Sequence, residues 1–182
     1  GEMYITCDVA RFGKDKTVIM VFSGLHVIKI RTFDKSSVVE VADEIRNLQS
    51  QYNVNLHNII VDEDGVGGGV KDIIRCKGFV NNSKPLKNEN YQNLKTQCYY
   101  KLADLVNKGQ VGVETKDINI RQYIIEELEQ VCMHHADKDN KLQIVPKDTI
   151  KAIIGRSPDF SDALAMRCYY EIDSNYGRYY VQ

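Results

Sequence analysis

The chain has 182 residues, a formal net charge of −1, 43% hydrophobic residues and 27% charged residues. This is enough chain for one domain with a real core, and too ordinary a composition for a disordered or fibrous protein. Near-neutral charge excludes a global polycation, so any nucleic-acid surface must be local.

Residues 3–9 (MYITCDV) read as a buried strand with Asp8 close to its end. A polar turn, 11–16 (RFGKDK), leads to a second strand at 17–23 (TVIMVFS), and Gly24 turns the chain into a third at 25–33. Ser37 followed by Glu40 is a capping box, and Val38, Val41, Ile45, Leu48 and Tyr52 then mark one helical face. A short apolar run at 57–62 (HNIIVD) predicts a fourth strand ending on Asp62. The glycine loop 64–69 follows it, then a short helix through Val70, Ile73 and Ile74. Residues 79–90 read as loop.

Leu94, Cys98, Leu102 and Leu105 predict a helix, 110–113 a short strand, and Ile120, Ile124, Leu128 and Val131 another helix from about Asp117. Two extended arms, 131–136 and 141–146, flank DKDN as a hairpin closed by Pro146. A last helix starting at Ser157 or Pro158 carries Asp159, Asp162, Leu164 and Met166. Residues 1–173 are expected to form one domain and 174–182 a polar, tyrosine-rich tail. A meander followed by α/β units implies a mixed sheet with helices on both faces.

The five cysteines, Cys7, Cys76, Cys98, Cys132 and Cys168, are scattered and form no C-x-x-C pair. They argue against zinc and disulfides and for a reduced, cytoplasmic setting. No apolar run reaches membrane length, so no membrane partner is expected. No signal peptide precedes the first strand, and the start at Gly1 reads as an excised domain.

Three carboxylates sit where charge is costly: Asp8 in the first strand, Asp62 at the end of the fourth, and Asp162 inside an apolar helix. Brought together in a low-dielectric pocket they would repel one another, and a divalent cation removes that repulsion. Two such ions roughly 4 Å apart suit phosphodiester hydrolysis, with no side-chain nucleophile. Asp159 shares a helix face with Asp162 and is a further candidate ligand. Asp15 and Lys151 are candidate supporting groups. Lys138, Lys141, Lys147 and Arg156 are candidate contacts to backbone phosphates. The glycine loop lacks the Lys-Ser/Thr pair of a nucleotide-binding loop. It reads instead as backbone passing close to Asp62, and no ATP is expected here. His134 and His135 are adjacent, so on a strand they face opposite ways and make a weak metal pair.

Three runs, 8–17 (DVARFGKDKT), 61–70 (VDEDGVGGGV) and 156–164 (RSPDFSDAL), together resemble the nuclease domain of tailed-bacteriophage terminase large subunits, the DNA-packaging motors. They span nearly the whole chain in the family's order. The resemblance implies a ribonuclease H-like fold and cleavage of concatemeric viral double-stranded DNA with two Mg²⁺ or Mn²⁺ ions. It implies Asp8, Asp62 and Asp162 as ligands, with Asp159 near the metals, Asp15 as a recurring supporting acid, and 131–146 as an element that touches DNA or regulates access. It implies host cytoplasm as the setting. The implied partners are the ATPase motor domain of a full-length protein, the portal and the small terminase subunit. Nothing in the sequence supplies the motor's phosphate-binding motifs. A catalytically silent DNA-binding module of the same fold, a Holliday-junction resolvase and an actin-like ATPase are the alternatives.

Overall fold

The computed structural model describes residues 1–10, 15–134 and 139–173. Strands β1 (Met3–Asp8), β2 (Thr17–Ser23) and β3 (His26–Phe33) form the expected antiparallel meander. The capping box forms as read: Ser37 accepts from the Glu40 amide and Glu40 from the Ser37 amide, opening α1 (Val38–Tyr52). A 3₁₀ turn at Leu56–Asn58 leads into β4 (Ile59–Asp62), followed by α2 (Gly67–Ile74) and β5 (Lys77–Phe79). Then come α3 (Leu94–Asn107), β6 (Gly112–Val113), α4 (Ile118–Gln130), β7 (Met133–His134), β8 (Gln143–Ile144), α5 (Lys147–Ile154), α6 (Asp159–Met166) and α7 (Cys168–Asp173).

Six strands make one mixed sheet in the order β5-β4-β1-β2-β3-β6, with β4 parallel to β1, β5 to β4 and β6 to β3. The architecture is the ribonuclease H-like one expected. Strand periodicity of two sorts its residues cleanly. Ile5 and Cys7 of β1 and Ile59 and Val61 of β4 pack with Val41, Ile45, Leu48 and Val70 of α1 and α2. Tyr4 of β1, Ile60 of β4, and Val18 and Met20 of β2 pack on the other face, with α3, α4, α6 and α7. On that second face Thr6 donates a buried hydrogen bond to the Ala163 carbonyl at 2.7 Å, tying β1 to α6. A bond of this kind contributes ~1 kcal/mol net.

Several boundaries differ from expectation. Residues 77–79 form a strand, because pairing with β4 completes that sheet edge where a Gly-Phe pair alone gives too little periodicity. Among the described residues the hairpin pairs two residues of each arm, β7 on β8, while 135–138, with His135 and the candidate Lys138, lie outside the described residues, as does the expected tail at 174–182. Helix α5 was not expected. Its start at Lys147 follows Pro146, and Gly155 ends it in the left-handed conformation that glycine tolerates.

Candidate active site

Because β1 and β4 are parallel with Cys7 opposite Val61, the next residues, Asp8 and Asp62, lie side by side at the carboxyl ends of neighbouring strands. Alternation places both on the face covered by α6. Helix α6 brings Asp159 and Asp162 in its first turn. All four line one cleft of about 530 Å³, together with Asp15, Lys147 and Lys151. The expected closeness of the glycine loop to Asp62 is also present. A Cβ on Gly67 would overlap the Asp62 carbonyl oxygen, so only glycine fits at that position.

The electrostatics are those of carboxylates crowded away from water. Burial, then the charge of Asp162, pushes the Asp8 carboxyl well above its ordinary range, and Asp8 is only 4% exposed. Burial also raises Asp62, partly offset by the Asp64 amide at 2.9 Å, by a hydrogen bond with Asp8, and by the Asn81 amide. Asp159 is pushed up to about 6 by burial, although its Oδ2 accepts from the Lys16 amide at 2.8 Å. Asp162 goes the other way. Burial opposes its charge, but Lys95 at 2.7 Å and Lys147 at 3.0 Å prevail and hold it at about 2. The Tyr99 hydroxyl donates to the same carboxylate at 2.6 Å.

Among the described residues, no three acidic, histidine or cysteine side chains already converge on one ligating point. The expected convergence of Asp8, Asp62 and Asp162 is therefore a shared cleft in which lysines engage Asp162. The donor set nonetheless fits a hard divalent cation. It offers carboxylate oxygens from two adjacent strand ends and a facing helix, and Asp8 and Asp62 ionise together readily only beside a positive charge.

The supporting pair lands together. Asp15 accepts from Ser157 at 2.8 Å and from Lys151 at 3.2 Å. Burial works against its ionisation, but these two partners outweigh it and lower its pKa. Lys151 is half exposed. Lys141 is exposed beside β8. His134 is exposed on β7.

Arg156, a candidate phosphate contact, has its guanidinium over the Tyr123 ring at 4.3 Å and pairs with Glu126 at 3.1 Å and with Glu127. Glu127 is fully buried in α4, and burial pushes its carboxyl up to about 7. It accepts from the Ser161 amide at 2.6 Å and so fastens the first turn of α6, next to Asp162. Sequence reasoning missed Lys95, Tyr99, Asn81 and Glu127. The only local signal for the first two was the Asn93 cap, which sets Lys95 in the opening turn of α3.

A comparison with solved structures decides the fold. The nuclease domain of the large terminase subunit gp2 of bacterial virus Sf6 superposes with a TM-score of 0.77 over 92% of this chain and 87% of that one, at 21% identity. The large terminase nuclease domain of Thermus phage P74-26 gives 0.62 over 93% and 79%, at 16% identity. The fold is that of a phage large-terminase nuclease domain. Compared with protein-family models and with curated proteins, the sequence matches none. A variant of the Sf6 domain is described with manganese, and the domain from a thermophilic phage with magnesium and with cobalt.

Proposed function

We propose that the chain is a metal-dependent endonuclease domain of a tailed-phage large terminase subunit, cutting concatemeric double-stranded viral DNA during genome packaging. The observation that carries this reading is the gathering of Asp8, Asp62, Asp159 and Asp162 in one cleft of a terminase-nuclease fold. Asp8, Asp62 and Asp162 are the residues to hold two Mg²⁺ or Mn²⁺ ions, with Asp159 beside them. Such ions supply Lewis acidity and make water a nucleophile at neutral pH.

The protein's own groups do the rest. Asp8 and Asp62 offer oxygens from a rigid pair of strands, held in register by the β1–β4 ladder. Asn81 and the Asp64 amide fix the Asp62 carboxylate by donating to it. Tyr99 fixes Asp162 in the same way. Lys147 and Lys151 lie at the cleft, where cations favour an approaching phosphodiester. No ATP chemistry belongs to this domain. Its partners in this reading are the motor domain of the full-length protein, the portal and the small terminase subunit, in the host cytoplasm.

A second reading, a silent DNA-binding module, is favoured by one observation: Lys95 and Lys147 already neutralise Asp162. Turnover separates the two. Supercoiled plasmid incubated with the protein in Mn²⁺ or Mg²⁺ is expected to be nicked or linearised, and EDTA or Asp62→Ala to stop it with the circular dichroism unchanged. Retention of plasmid without cutting would select the silent module, and undiminished cutting by Asp62→Ala would reject Asp62 as a ligand.

A further inference from the structure

Part of the cleft rim is lined by carboxamides, not charges. Asn81, Asn82, Gln92, Asn93 and Gln143 all border the space that holds the aspartates. Two of them are committed to the fold. Asn81 donates to Asp62 and Asp64, and Asn93 caps α3 through the Thr96 amide. The other three keep free hydrogen-bonding capacity among the described residues. The side-chain amides of Gln92 and Gln143 make no hydrogen bond, and Asn82 uses only its Oδ1, which accepts from Asn93 at 3.1 Å.

Asn82 and Gln92 precede α3 while Gln143 lies on β8, distant in sequence, and the fold stitches these segments together. The Gln92 backbone N–H donates to the Leu142 carbonyl at 2.9 Å, and the Leu142 backbone N–H to the Asn90 carbonyl at 3.1 Å. The Tyr100 hydroxyl donates to the Gln143 carbonyl at 3.2 Å. The loop carrying Asn82 is tied to the start of α3 by the Leu94 amide on Ser83 and the Lys95 amide on Asn81. Backbone positions of this stretch of rim are thus fixed before anything binds, which lowers the ordering cost of binding.

The chemistry of the stretch suits its place. A lysine beside this acidic cleft is drawn onto a carboxylate, as Lys95 and Lys147 are onto Asp162 and Lys151 onto Asp15. A neutral amide is not captured in that way. Its NH₂ still donates to phosphate and sugar oxygens, and its carbonyl still accepts.

We propose that Asn82, Gln92 and Gln143 form an uncharged grip for the backbone of the DNA strand entering the cleft, a contact surface distinct from the lysines. The proposal rests on the nuclease reading of the same site. Neutral hydrogen bonds release no condensed counterions, so they strengthen binding without adding to its salt dependence.

The test is the affinity of a fluorescently labelled linear duplex, read by anisotropy over a series of KCl concentrations in Ca²⁺, for the wild type and for the Asn82→Ala/Gln92→Ala/Gln143→Ala variant. Circular dichroism and thermal unfolding check the fold. A Kd raised about tenfold or more, with the slope of log Kd against log salt unchanged, is expected from three lost neutral hydrogen bonds. An unchanged Kd in a wild type that binds and cuts would overturn this proposal, and so would a weaker Kd accompanied by a shallower slope. A wild type that neither binds duplex nor cuts plasmid in Mn²⁺ would overturn the nuclease reading itself. Single variants localise the effect if the triple variant is less stable than the wild type.

Discussion

Replacing Arg156 by alanine separates a structural role from a DNA-binding one. The side chain is about one-fifth exposed, and its guanidinium also donates to the Tyr123 carbonyl at 3.3 Å. Its removal leaves the fully buried Glu127 with the Ser161 amide as its remaining close donor. Breaking a buried pair by deleting one partner costs ~3–5 kcal/mol, and the lost stacking on Tyr123 adds to that. For a chain of this size, ~3 kcal/mol corresponds to a fall in Tm of about 6–12 °C. The pH dependence has a definite sign. Glu127 already titrates near 7 in the fold, above an ordinary glutamate, and losing Arg156 raises it further. A carboxyl raised in the folded state leaves stability intact below the ordinary glutamate range and takes it away as pH rises through the folded value. The Arg156→Ala penalty is therefore smaller near pH 5 than near pH 8. Urea unfolding followed by circular dichroism at both pH values measures it, and Arg156→Ala/Glu127→Gln recovers part of the loss. A variant with wild-type stability, but a salt slope of DNA affinity reduced by about one, would refute this account and restore Arg156 as a phosphate contact.

Three further outcomes follow from the site. Asn81→Ala frees the Asp62 carboxylate to rotate, and the Mn²⁺ concentration for half-maximal cutting rises about 10–100-fold; a metal titration of plasmid nicking checks this. Mn²⁺ at a hundredfold excess over its Kd stabilises the fold by about 2.7 kcal/mol at neutral pH. Asp8 and Asp159 are raised, the latter to about 6, so the metal-free fold loses stability as pH rises through that value, and the Tm gain from Mn²⁺ is larger near pH 8 than near pH 5 in a thermal melt. Gly67→Ala forces a Cβ into the Asp62 carbonyl, lowering stability by ~1–3 kcal/mol in urea unfolding and impairing cutting more than a Gly68→Ala control, where a Cβ meets its nearest neighbour at 3.4 Å.

What could be read from residues alone was whatever depends on local pattern. The buried-strand pattern of 3–9 put Asp8 near a strand end, and the apolar run ending at Asp62 did the same for that residue, so both strand-end aspartates were legible before any contact was known. The capping box at Ser37 and Glu40 was equally local. What depends on distant packing was not legible. Lys95 and Tyr99 reach Asp162 only because α3 packs on α6, more than sixty positions away in sequence. Arg156 looks like any solvated arginine until α4 supplies Glu126, Glu127 and Tyr123 around it. The strand at Lys77–Phe79 is three residues long and exists because β4 offers a free edge. Helix α5 follows a proline and carries mixed polarity, and its placement against α4 comes from tertiary contact.

Crystals soaked in Mn²⁺, with anomalous scattering recorded at the manganese edge, test the central claim most directly. The account predicts anomalous peaks bounded by the carboxylates of Asp8, Asp62 and Asp162, with Lys147 displaced from Asp162. Manganese well occupied elsewhere on the molecule, and none in that cleft, would contradict it.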